Sequence, residues 1–105
     1  MTFSFVYPEV IAEIRAACAN HVAGVVSADD LQRTIQCGET IIVAVEENDI
    51  RYFLTDIEGQ LELIKLTIDC KEQLQKTKEI ARQVLSWLRK RERKARINLP
   101  SVFFR

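Results

Sequence analysis

Few residues in this 105-residue chain have the types and spacing that chemistry needs. Enzymes assemble a nucleophile with a base, paired carboxylates, a metal cage or a phosphate-cradling loop. His21 is the single histidine, and histidine is the side chain best suited to moving protons near neutral pH. Cys18 stands three residues before it, so a helix would place both on one face, as a thiol–imidazole dyad requires. The plainer reading is a histidine at the edge of a core, at the negative end of a helix dipole. Glu46, Glu47 and Asp49, followed by Asp56 and Glu58, could gather around Mg²⁺ at a strand end. The same run also reads as a solvated loop leading into a helix. Cys18, Cys37 and Cys70 are odd in number and form no C-x-x-C, which argues against a disulfide framework. With one histidine, a dedicated zinc site is not expected either, and the cysteines read as small buried hydrophobes. There is no G-x-G-x-x-G, no G-x-x-x-x-G-K and no H-E-x-x-H. Neither cofactor nor metal is expected, and binding is a better expectation than catalysis.

The binding candidates lie at the C-terminus. Arg89, Lys90, Arg91, Arg93, Lys94 and Arg96 form a basic cluster, and Leu99, Val102, Phe103 and Phe104 form an apolar strap after it. Each of those apolar side chains gains ~1.5–3 kcal/mol on burial, so the strap needs a surface: its own core, a second copy or a partner. The cluster reads as a helix end whose cations complement the dipole, or as a contact for phosphate. Its charges go all round a helix, so nucleic-acid binding would be non-specific. The chain's net charge of zero hides a segregation. Residues 1–69 hold four Lys/Arg against twelve Asp/Glu, a net of −8, and residues 70–105 hold eleven against three, a net of +8. Such halves attract each other, within one chain or between two.

These residues must be held by a single domain of ordinary composition, 48% hydrophobic and 29% charged. Residues 1–96 form the expected globular part, and 97–105 the strap. Pro8 suits a first helical position. Val10, Ile11, Ile14, Cys18 and His21 then share one face, and Gly24 ends a helix at about 8–23. Ser27 caps a short helix at 28–37, with Gly38 as its stop. The β-branched run "ETIIVAVE" predicts a buried strand at 40–46. Ile50, Phe53, Leu54 and Ile57 predict a helix at 49–58, ended by Gly59, with a hairpin through 47–49 as the alternative. "QLELIKLTI" predicts a strand at 60–68, and residues 71–96 one long helix with Trp87 on its apolar stripe, stopped by Asn98 and Pro100. That helix would be about 39 Å long at 1.5 Å per residue, so its basic end should project past the core by a turn or two. Phe3, Phe5 and Tyr7 alternate as a short strand would.

The expected fold class is therefore α+β, in the order α-α-β-α-β-α. A two- to three-stranded sheet would pack against the long C-terminal helix, and dimerisation would complete the sheet. The function expected by elimination is that of a small non-catalytic regulatory, adaptor or toxin-neutralising protein. It would act by protein–protein contact, as a homodimer, through Trp87, Leu99, Val102, Phe103 and Phe104. The first alternative is non-specific nucleic-acid binding through residues 89–96; the second is a small nuclease-like enzyme using His21. No apolar run reaches the ~18 residues of a membrane span and no signal peptide is legible, so a cytoplasmic location is expected.

Overall fold

Pro8 opens the first helix, as its fixed φ and missing N–H allow. The computed structural model describes residues 5–103, and side chains as far as Arg93. It contains α1 (Pro8–Val22), α2 (Ala28–Ile41), a 3₁₀ turn (Val45–Glu47), α3 (Asn48–Thr67) and α4 (Cys70–Phe103). Among the described residues there is no strand. The expected α+β class is corrected: the chain is 85% helical, a four-helix bundle.

Two of the expected caps hold. Gly24 takes the left-handed conformation, φ 84°, and ends α1. Ser27 Oγ accepts from the Asp30 N–H at 3.1 Å and starts α2. The other two glycines were misread as stops. At Gly38 a Cβ would lie 2.7 Å from Ile14 Cδ1, so this glycine lets α2 pack tightly on α1 and the helix runs on to Ile41. The 40–46 strand therefore does not exist. Of its apolar residues Ile42 is buried, while Ile41, Val43 and Val45 are exposed. A β-branched run forms a strand only where another strand can pair with it.

Gly59 lies inside α3. The series Ile50, Leu54, Ile57, all fully buried, continues past it to Leu61 and the half-buried Ile64. The 3.6-residue period of that series absorbs the expected 60–68 strand into the helix. With both strands gone there is, among the described residues, no sheet to complete across a dimer.

The helices alternate in direction, each packing on two neighbours: α1 on α2 and α4, α3 on α2 and α4. Gln32–Glu62 and Gln36–Glu58 hydrogen bonds mark the antiparallel register of α2 and α3. His21 meets Thr77, which sets α1 against α4. One core fills the interior, from Phe5, Ile11, Ile14, Cys18, Leu31 and Ile35 to Ile80, Ala81, Val84 and Leu88.

That register fixes where α4 leaves the bundle. Counting equally along the two helices, the His21–Thr77 contact puts Pro8 level with Lys90 and the Arg15–Glu92 contact puts it level with Leu99. Arg91 in turn meets Asp49, at the start of α3. The last dozen residues of α4 therefore extend past the start of α3 at this end, the base, by about 18 Å, or three turns. The overhang is longer than sequence predicts because the helix passes through Asn98 and Pro100 to Phe103. Proline's fixed φ is itself helical, and the lost N–H and the crowding of its ring both fall on one carbonyl, that of Arg96, close to the end of the helix. The whole helix, about 51 Å long, accounts for the 54 Å long axis of the molecule.

Candidate functional site

At the base, the basic C-terminal half turns back on the acidic N-terminal half. Arg91, largely buried, donates from Nε to Asp49 Oδ2 at 2.6 Å. Its Nη2 lies 3.5 Å from the Glu46 carbonyl. Arg15 on α1 pairs with Glu92 at 2.9 Å, and its guanidinium lies 5.6 Å from the centre of the Phe5 ring. Arg89, Lys90 and Arg93 face water; the side chains of Lys94 and Arg96 lie outside the described residues. The basic cluster is thus divided. One member locks α4 to the start of α3, and at least three remain on the surface.

Glu47 is the least expected group here. It is 2% exposed, ends the 3₁₀ turn, and accepts the Val6 N–H on Oε2 at 2.7 Å. Its Oε1 is buried with no hydrogen-bond partner. Burial pushes the carboxyl above the ordinary range, more than the Val6 N–H and the Arg91 charge pull it down. This bond fastens residues 5–7 to the α2–α3 connection, so Val6, Ile41, Val43 and Val45 form an exposed apolar rim at the base. Sequence reasoning placed Glu47 in a solvated loop. Nothing local distinguishes it from Glu46, because its hydrogen-bond partner, the Val6 N–H, lies 41 residues away in sequence.

His21 lies at the opposite end, fully buried. Nδ1 is 3.0 Å from the Val26 carbonyl and Nε2 is 2.8 Å from Thr77 Oγ1. A carbonyl only accepts, so Nδ1 donates to Val26. The Thr77 hydroxyl also lies 2.9 Å from the Leu74 carbonyl, the usual partner of a helical threonine. The pair has the spacing of a base and a hydroxyl nucleophile. Yet both side chains are enclosed, His21 completely and Thr77 to 4% exposure. The arrangement ties α1, the turn after it and α4 together. Cys18 is also fully buried, and burial pushes its thiol up to about 12, so it holds no thiolate for a dyad.

Beside Thr77 an open cleft of about 270 Å³ lies between the start of α2, the end of α3 and the start of α4. Leu61 and Ile64 supply its apolar lining, Gln32 and Gln73 its polar one. Lys65 and Asp29, also in the lining, pair at 2.9 Å. Both are already neutralised, and Gln32 and Gln73 are hydrogen-bonded within the chain.

Trp87, expected as a contact residue, stacks on Phe53 of α3 with ring centres 4.1 Å apart and planes at 5°. Its half-buried ring closes the α3–α4 seam. The side chains of Leu99, Val102 and Phe103, and the whole of Phe104, lie outside the described residues, as do residues 1–4 with Phe3. Among the described residues, no group of His, Cys, Asp and Glu could hold a metal ion, and no helix is long and apolar enough to cross a membrane. No family model, no curated protein and no solved structure matches this chain.

Proposed function

We propose that the protein acts by binding another protein, as a small regulatory or adaptor subunit working in the cytoplasm, and that α4 beyond the base is its contact element. One observation carries this reading. The buried line of α4, Thr77, Ala81, Val84 and Leu88, reaches Arg91 at the base. Its 3.6-residue period then continues through positions 95, 99 and 102, along three turns of helix that run past the start of α3. Sequence puts Ala95, Leu99 and Val102 on that line with Phe103 beside it. A stripe of this kind is how an amphipathic helix fills an apolar groove. The cations on its other faces favour a partner with an acidic rim. The free thiols of Cys18, Cys37 and Cys70 suit a reducing compartment.

The test compares the full chain with one truncated after Arg93. Each is used as bait, and the captured protein is purified and titrated against both by calorimetry. Binding to the full chain that weakens at least about tenfold (about 1.4 kcal/mol) on truncation is the expected result. Equal affinity for both forms would overturn the proposal.

The exposed Arg89, Lys90 and Arg93 favour a second reading, non-specific nucleic-acid binding. Three phosphate contacts on a duplex would give a log–log salt slope of about −2.7. A flat salt dependence, or binding unchanged when the three become alanine, removes this reading.

A further inference from the structure

Residues 5–7 run into α1 with Phe5 in the core. The hydrogen bond that ties them to the turn before α3 goes from the Val6 N–H to Glu47 Oε2, 2.7 Å away. Its acceptor is poorly provided for. Glu47 is enclosed, and Oε1 has no hydrogen-bond partner. A buried carboxylate is comfortable where two or three donors meet it; here there is one. The charges around it do not fill the gap. Arg91, from α4, gives its Nε to Asp49 and turns Nη2 toward the Glu46 carbonyl. Asp49, at the start of α3, and Glu46, in the turn, are negative charges that disfavour a third. Arg15 of α1, over the Phe5 ring, is paired with Glu92. As a neutral acid Glu47 keeps the Val6 bond and buries no charge. As an anion in the same place it holds a buried charge on a single donor, which is costly.

We infer that residues 5–7 and Glu47 form a pH-operated latch, closed while the Glu47 carboxyl holds its proton and opened when the carboxyl ionises and takes from water the donors that the fold does not give it. Burial holds the proton more tightly in the closed form than in the open one, so a rise in pH through the folded carboxyl's range favours opening. Opening gives up the Val6 bond and the burial of Phe5. It spares the seams between the helices, which are packed by Ile14, Ile35, Leu54, Ile57, Val84 and Leu88, so it is a local event. A freed Phe5 joins the exposed Val6, Ile41, Val43 and Val45, and the base becomes more apolar as pH rises.

Amide exchange followed by NMR on the full chain tests this, from pH 3.5 to 7.5. Each rate is divided by that of an unstructured chain at the same pH, which leaves the protection of each amide. In the wild type the protection of Val6 should fall at least about tenfold as the Glu47 carboxyl carbon signal titrates, while Ile57, in the middle of α3, stays protected. Glu47→Gln keeps an acceptor and cannot ionise, so its Val6 protection should not change with pH. Constant protection of Val6 in the wild type overturns the inference. So does protection that rises with pH, which would mean that Arg91 turns from the Glu46 carbonyl to Oε1 and tightens the base. A fall shared equally by Ile57, or repeated in Glu47→Gln, overturns it too. The wild-type readings decide the matter even if the variant does not fold. None of them involves a partner, so this inference and the proposed function fail independently.

Discussion

Glu47 is a carboxyl enclosed with one oxygen satisfied and the other not. Its folded-state pKa is raised by burial, so the folded state holds the proton more tightly than the unfolded chain does. The contribution is therefore most favourable below the unfolded carboxyl range and declines as pH rises through the folded value. Glu47→Gln keeps an acceptor for the Val6 N–H and removes the charge. The variant should match the wild type in mild acid and exceed it near neutral pH, by about 1–3 kcal/mol. Melting curves of both proteins from pH 3.5 to 7.5 check this, and a Tm difference that shrinks as pH rises would contradict the assignment. The cysteines give a second reading at this scale. Cys37 and Cys70 are exposed and Cys18 is buried, its thiol up at about 12. An alkylating reagent at neutral pH should modify two thiols at once and the third only on unfolding, as mass spectrometry would show. Three simultaneous modifications in the folded protein would mean that the α1 core is open. Sequence put His21 on the apolar face of α1 and all three cysteines inside; Cys18 is buried, but Cys37 and Cys70 are exposed. Thr77 as the partner of His21 was not legible, since 56 residues separate them.

At the scale of elements, glycine is what separates the expected fold from the observed one. Gly24, Gly38 and Gly59 look alike in sequence, yet one ends a helix, one admits a neighbour and one sits mid-helix with nothing above it. Treating all three as stops cut α2 short, halved α3 and left two β-branched remnants to be read as strands. The corrective signal was present for α3, because Ile50, Leu54, Ile57, Leu61 and Ile64 keep one period straight through Gly59. For α2 there was none, since only the approach of Ile14 explains Gly38. Its replacement is the matching test. Gly38→Val places branched carbon where Ile14 Cδ1 already lies 2.7 Å from a Cβ. It should cost about 1–3 kcal/mol through overpacking, measured by urea denaturation. A neutral or stabilising Gly38→Val would show that α1 and α2 do not meet there.

The whole molecule is a bundle with one helix too long for it. Arg91–Asp49 joins the basic half to the acidic half at the base, so part of the segregation serves the fold itself. The overhang lies beyond the core, and truncation after Arg93 should change Tm by no more than about 2 °C, on the scale of a surface substitution. A loss of several degrees by differential scanning calorimetry would mean that the strap packs on its own bundle. Sequence by itself determined the local features. It specified the helix starts at Pro8 and Ser27, the turn at Gly24, the amphipathic faces of α1 and α4, the separation of charge, and the basic and apolar character of the C-terminus. Those follow from caps, φ preferences and the 3.6-residue period, all of which act within a few residues. Tertiary structure alone decided whether Gly38 ends a helix or lies within one, and which Glu of an acidic run is buried. It also decided which arginine of a basic run is locked and how far α4 outruns its neighbours. Each of these depends on groups brought together from distant parts of the chain, and no local preference encodes them.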